Sequence, residues 1–279
     1  MPTEALLAVL LGALLHAGWN AAIKSGTDKF LDMVLVATGA GAIAAALLPF
    51  LPMPARASLP HLGVSAVLQV VYFVLVAAAY RAADMSYAYP LMRGTAPLIV
   101  AVLSGVVLGE VLTPGAWAGV GLICGSVLAL TLLNRRAGGN LLATAFALGN
   151  ATVIAAYTLV DGAGARLSGQ VASYTLWLSL LTAPPLLGWA AWRHGPALLP
   201  YLRARWWVGL GGGAATLGSY GLALWAMTRA PVAATAALRE TSILFGMVIA
   251  ALVLKERVGP ARLAAGAAIA LGAATLRLA

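Results

Sequence analysis

MSYAYPLMRGTAPLIVAVLSGVVLGEVLTP, residues 85–114, returns in altered form near the far end of the chain. A shift of 146 places, which carries Arg93 onto Arg239, also lays Thr95 on Thr241, Leu98 on Leu244, Val102 on Val248, Val107 on Val253, Leu108 on Leu254, Glu110 on Glu256 and Pro114 on Pro260. Apolar matches arise readily in so greasy a chain. An arginine inside an apolar run, a helix-end glutamate and a proline that share one register do not, and they mark an internal duplication. After a slip of two residues the match resumes upstream, with Tyr72 on Tyr220, Arg81 on Arg229 and Ala82 on Ala230. The repeated unit therefore spans at least two helices and the turn between them.

Composition sets the solvent of the fold. Hydrophobic residues make up 62% of the 279 and charged residues only 9%, with a mean hydropathy of +0.95, against about a quarter charged in soluble domains. The apolar segments reach the roughly 20 residues that a helix needs to cross a bilayer, and the alternating pattern of a membrane barrel is absent. The fold class is thus all-α, a polytopic membrane protein. Ten spans are expected, at about 3–24, 31–52, 60–80, 86–109, 114–134, 140–161, 171–192, 206–228, 231–254 and 260–277. The basic linker at Arg135 and Arg136 divides them into five-helix halves, residues 1–137 and 138–279. Five is odd, so the second half enters the membrane from the opposite side and the ten helices form two inverted repeats. Stretches such as GLGGGAATLGSYG (209–221) supply the small residues that let helix backbones approach in lipid.

The net charge of +9 does not mark a nucleic-acid binder, because the basic residues stand singly or in pairs at span ends. They report topology instead. Arg56, Arg166, Arg229 and Arg277 fall on the side of the N-terminus, side A. Lys24, Lys29, Arg81, Arg135, Arg136, Arg193, Arg203, Arg205, Lys255, Arg257 and Arg262 fall on side B. The positive-inside rule puts side B in the cytoplasm and both termini outside. The single cysteine, Cys124, excludes a disulfide framework. His16, His61 and His194 are too scattered for a metal site. No cofactor is expected, and the expected partners are a small solute and membrane lipid. A monomer and a homodimer are equally compatible with the pattern.

A charge at membrane depth costs at least about 2.5 to 3.5 kcal/mol and requires a partner, a wet cavity or a function. Arg93 and Arg239 lie at equivalent depths of the fourth and ninth spans. They either bind an anionic group in a central cavity or bond helix ends and snorkel to the interface. Glu240, about 100° further round the helix, is placed to neutralise a neighbouring helix or to couple transport to protons, as are His16 and Asp161. Pro90, Gly94 and Pro97 surround Arg93 and mark a kink or gate in the fourth span. His16, Trp19, Asn20 and Lys24 form a polar stripe on the first span. Asn150 takes the place of His16 in the sixth, and Tyr72 and Tyr220 form a repeated aromatic pair. All of these are candidate binding residues or, equally, interhelix packing. Glu110 and Glu256 are expected to hold the N-terminus of the helix that follows each of them.

The run YRAADMSYAYPL (80–91), the GEVLTP (109–114) and KERVGP (255–260) turns, and the opening HAGWNAAIK (16–24) together resemble the EamA family of the drug/metabolite transporter superfamily across the whole chain. Lys255 replaces the first glycine of the family's Gly-Glu signature in the second half. The resemblance implies a carrier of the bacterial inner membrane for small organic solutes, often amino acids or related metabolites, commonly an exporter. It would alternate access around a central cavity, with both termini in the cytoplasm, opposite to the charge count. No phosphate-binding loop of the Gly-x-x-x-x-Gly-Lys-Ser/Thr type is present, so a gradient drives such a carrier. Two other classes remain, a scaffold or accessory subunit without transport and a membrane-embedded enzyme. The second is disfavoured, since neither His-Glu-x-x-His nor Gly-x-Ser-x-Gly occurs.

Overall fold

A computed structural model describes residues 1–24, 28–133, 140–252, 255 and 259–279, without the side chains of Ala22, Lys24, Leu132 and Leu133. The described residues form helices and no strands. The first half holds α1 (Thr3–Lys24), α2 (Lys29–Leu47), α3 (Leu59–Ala82), α4 (Met85–Leu108) and α5 (Pro114–Leu133). The second holds α6 (Leu141–Ser168), α7 (Val171–His194), α8 (Leu198–Ala204), α9 (Trp206–Met227), α10 (Val232–Leu238), α11 (Ser242–Leu252) and α12 (Pro260–Leu278). Among the described residues nine stretches are long and apolar enough to cross a membrane. The remaining expected span, the eighth, is α9, 22 residues long but diluted by glycine, serine and tyrosine.

Local chemistry sets the ends. The Asp84 side chain accepts from the Ser86 amide at 2.7 Å and caps α4, and Ser86 holds this carboxyl below the usual carboxylate range. Gly109 stops α4 in the left-handed conformation, φ 67°. Lys255, its repeat equivalent, adopts φ 53° with a full side chain. Asn140 caps α6 through the Ala143 amide, and Thr113 caps α5 through that of Ala116.

Three of the expected spans differ in detail. The α-helix of the second span ends at Leu47, and a 3-10 turn at Leu48–Phe50, with Pro49 in it and Pro52 beyond, completes the span. The sixth runs on to Ser168, because Gly162 and Gly164 are accommodated within the helix, so Asp161 is interior and not terminal. The ninth span is not one helix: between α10 and α11 the backbone tightens into a 3-10 turn at Arg239–Thr241. The linker residues Arg135 and Arg136, the division after residue 137, and Glu256 lie outside the described residues.

The packing pairs reveal the symmetry. Matching α1 to α6, α2 to α7, α3 to α9, α4 to α10 and α11, and α5 to α12 carries most of the principal contacts onto one another, the close packing of α4 on α5 excepted. Thus α1 on α9 becomes α6 on α3, α2 on α9 becomes α7 on α3, and α4 on α6 becomes α11 on α1, while α2 on α7 and α5 on α12 map onto themselves. An inverted repeat with a pseudo-two-fold axis in the membrane produces this closure. The tightest crossing is α2 on α9, where a Cβ on Gly39 would lie 2.0 Å from the Gly209 carbonyl oxygen and one on Gly213 2.4 Å from the Ala40 nitrogen. The backbones touch, as small residues permit.

Candidate functional site

A cavity of about 140 Å³ lies where the repeats meet. Its walls are His16 and Trp19 of α1, Met33, Val36, Ala37 and Ala40 of α2, Gln69, Tyr72 and Phe73 of α3, and Arg93 of α4. The second repeat adds Tyr157 of α6, Leu178, Ser179 and Thr182 of α7, Thr216, Ser219 and Tyr220 of α9, and Arg239. The aromatics meet edge to face, Tyr72 with Tyr157 at 6.0 Å and Tyr157 with Tyr220 at 6.5 Å between ring centres. Trp19 Nε1 and Thr216 Oγ1 are buried without a hydrogen-bond partner among the described residues, which leaves a donor and a hydroxyl for a bound molecule.

The two repeated arginines are not equivalent. Arg93 donates from Nε to Glu240 Oε2 at 2.9 Å and places Nη2 2.8 Å from Glu240 Oε1, a bidentate pair across the repeats. The 3-10 turn swings Glu240 toward α4 and leaves Arg239 on the cavity. The Arg239 guanidinium stands 5.1 Å from the Tyr220 ring centre, and no carboxylate pairs with it among the salt bridges of the described residues. Glu240 therefore pairs with Arg93 of the neighbouring helix α4.

Deeper toward side A, Asp161 is fully buried. It accepts from Tyr174 at 2.9 Å, from the Tyr220 hydroxyl and from Gln69 at 3.4 Å, with the Ser65 hydroxyl beside it. All these donors are neutral. The sequence offered the signal: from Leu159 to Ala165 small and apolar residues continue without a break except for this acid, which marks an intramembrane carboxyl.

On side A an ion pair ties the two repeats together. The Glu110 carboxylate accepts from the Val232 amide at 2.9 and 3.0 Å and pairs with Arg166, whose guanidinium also donates to Met227 O at 2.9 Å and Ala230 O at 3.2 Å. Glu110 thus caps α10 of the other repeat and not the helix after its own; Thr113 already holds α5. On side B hollows of about 260 and 330 Å³ adjoin the central cavity at His16 and Met33 respectively.

The polar stripe of α1 does face these spaces: His16 and Trp19 line the centre, while Asn20 lines the side-B hollow and donates to its own helix at His16 O. Lys24 lies outside the described side chains. Asn150 is corrected: it is buried between α4 and α6 and donates to Met92 Sδ at 2.9 Å, away from the cavity. Gly94 faces α5, where a Cβ would meet Leu128 at 2.7 Å, and so serves packing. Pro90 lines the side-B hollow and Pro97 a small void beside Arg93 and Glu240, although α4 stays helical through both. Cys124 is buried.

The model of a family described as the EamA-like transporter family matches residues 3–132 and 141–278. Among curated proteins none matches this sequence. Of 27 solved chains that match, one, described only as a crystal structure of a protein, superimposes on 100% of this chain and 98% of its own with a TM-score of 0.78 at 21% identity. At that identity the likeness is one of fold.

Proposed function

Given that this chain belongs to the EamA-like transporter family, we propose that it is a secondary carrier of small carboxylated solutes with an apolar or aromatic body, such as amino acids and related metabolites. One observation carries the reading: Arg239 presents a cation without an ion-pair partner, among the described residues, to an aromatic-walled cavity shared by both repeats. A guanidinium matches a carboxylate through paired donors. The Trp19 and Thr216 groups provide polar contacts, and Tyr72, Tyr157 and Tyr220 cover the body of the solute. Arg93, fixed by Glu240, shapes the wall.

Transport on this reading proceeds by exchange of the closed side, the Glu110–Arg166 knot opening as the side-B hollows collapse. The charge count favours side B as the cytoplasmic face, with both termini outside a bacterial inner membrane. Labelling of single cysteines introduced next to each terminus in intact cells checks the orientation. The function is tested by counterflow of labelled amino acids and organic anions in proteoliposomes. Wild type is expected to exchange a carboxylate, Arg239→Gln to lose that exchange while remaining folded, and its uncharged amide analogue to be ignored. Equal exchange by wild type and Arg239→Gln refutes the site.

A further inference from the structure

We propose that Asp161 is a proton-binding site that loads together with the anionic solute, so that the carrier is an electroneutral proton–anion symporter. The proposal rests on the carboxylate reading of Arg239 and adds to it the coupling ion and its seat.

Away from the span ends the described core holds Arg93, Glu240, Arg239 and Asp161, two cations and two anions, the buried Asp32 at the start of α2 being paired with Arg205, so the empty carrier is neutral there when all are ionised. A monoanion entering against Arg239 leaves one uncompensated negative charge in a medium where that is costly. A proton taken up by Asp161 restores neutrality, and the loaded carrier can then reorient on the same terms as the empty one. Glu240 is the poorer seat, because Arg93 engages both of its oxygens.

Asp161 is also suitably placed. It lies seven residues from the side-A end of α6, as Arg239 lies seven residues from the start of α10, so both sit roughly 10 Å deep from the same side. Tyr220 joins them, with its hydroxyl on Asp161 and its ring against Arg239. The carboxylate has no exposed surface and its neutral donors surround it, so an ammonium group or a hydrated cation is disfavoured there, whereas a proton is accommodated when a hydroxyl such as that of Tyr220 turns from donor to acceptor. The groups facing it are Ser65 and Gln69 from α3, Tyr174 from α7 and Tyr220 from α9. On its own helix Tyr157 stands one turn away. His61 of α3 packs against Gly164 toward side A, the 3-10 turn after α10 contributes Arg239, and Arg93 on α4 is held by Glu240. Among the described residues no group of positive charge bonds to it directly.

Linkage makes the coupling reciprocal: solute on Arg239 strengthens proton binding at Asp161, and the proton strengthens solute binding by the same factor. Across a membrane with an acidic outer face this drives uptake, against the export that the family resemblance implies.

The test separates the carrier from its coupling. In proteoliposomes wild type is expected to perform counterflow and to accumulate a labelled monocarboxylate when the outside is made acidic, with alkalinisation of the outer medium. Asp161→Asn is expected to keep counterflow and lose acid-driven accumulation at least tenfold. Accumulation by Asp161→Asn at the wild-type level, or wild-type counterflow that ignores the proton gradient, overturns the proposal. Infrared titration of purified protein without solute reads the site directly. A protonated-carboxyl band that appears with acidification in wild type and is missing in Asp161→Asn supports it even if no tested solute moves, an outcome that would sink the carboxylate reading alone. Absence of that band in wild type overturns the proton site. Should Asp161→Asn fail to fold, Tyr174→Phe keeps the acid with one donor fewer and is expected to change the pH at which the band appears by about one unit; an unchanged band refutes the assignment.

Discussion

Removing Glu240 is expected to harm the protein more than removing Arg93, although the two form one ion pair. The pair is bidentate at 2.8 and 2.9 Å, and the side chains are 12% and 3% exposed. Breaking a buried pair by deleting one partner costs about 3 to 5 kcal/mol, because the survivor is left uncompensated. After Glu240→Gln the survivor is an arginine, which cannot discard its charge, and Arg239 beside it adds a second cation. The full penalty of about 3 to 5 kcal/mol is expected. After Arg93→Gln the survivor is a carboxylate that retains the attraction of Arg239 and has the option of neutralising itself. About 1 to 3 kcal/mol is expected there. The double variant removes both charges and is expected to resemble Arg93→Gln, with a coupling of about 2 kcal/mol or more. Reversible denaturant unfolding in micelles, run as a double-mutant cycle, measures all three. Additivity of the single variants within about 0.5 kcal/mol would refute the pair. If both single variants instead keep wild-type stability and lose solute exchange, Arg93 belongs to the solute and the division of labour drawn between the two arginines is wrong.

Lys255→Gly is expected to stabilise the protein by about 1 kcal/mol, because φ 53° strains a residue with a Cβ and suits glycine; a lowered melting temperature contradicts this. Gly39→Ala forces α2 and α9 apart, since a Cβ would lie 2.0 Å from Gly209 O, and is expected to cost about 3 kcal/mol in unfolding free energy. Glu110→Ala removes the cap of α10 and the Arg166 partner. It is expected to cost about 1 to 3 kcal/mol and to raise thiol labelling of a cysteine placed at Ser168 on side A; unchanged labelling would show that the knot does not hold this side closed. The Asp84 carboxyl, lowered by the Ser86 amide and hydroxyl, stabilises α4 above the ordinary carboxylate value of about 4. That contribution is lost as pH falls through the depressed value, so Asp84→Asn is expected to flatten the acid limb of a stability–pH curve.

The sequence carried the architecture because membrane-length apolar runs and a repeat register are global signals that survive local error. It carried the deep arginines for the same reason, since a charge inside an apolar run stands out without any knowledge of its neighbours. What it could not carry was which arginine is free. That depends on the 3-10 turn at Arg239–Thr241, which no proline announces and which decides where Glu240 points. Asp161 was misplaced by a boundary error of two helical turns, because a charge followed by Gly162 and Gly164 reads equally as the end of a span. Asn150 was assigned by analogy with His16, yet the repeat register fixes depth on a helix, and packing against Met92 fixes which neighbour it meets. Glu110 showed the same limit from the other direction: its cap is supplied to a helix 122 residues away, beyond any local motif.

On the proposed reading the broken positions of the duplication carry the chemistry. Position 94 in the first repeat is Gly94, packed against Leu128; its counterpart 146 places on is Glu240. A strictly symmetric core would hold either two bare guanidinium groups or two neutralised ones. The first would cost roughly 2.5 to 3.5 kcal/mol for each unpaired charge at depth, and the second would leave no cation for a solute. One glutamate on one side neutralises Arg93 and spares Arg239, and because its counterpart is a glycine, α4 can close on α5 where α10 and α11 cannot mirror it. The remaining positive charge then has to be balanced at a distance when the cavity is empty, and Asp161, joined to Arg239 through Tyr220, is the fully buried carboxylate placed to do so. Asymmetry at 94 and 240 and the buried acid at 161 are therefore two halves of one electrostatic solution, which predicts that changing Gly94 or Glu240 alters the proton dependence of the carrier as well as its stability.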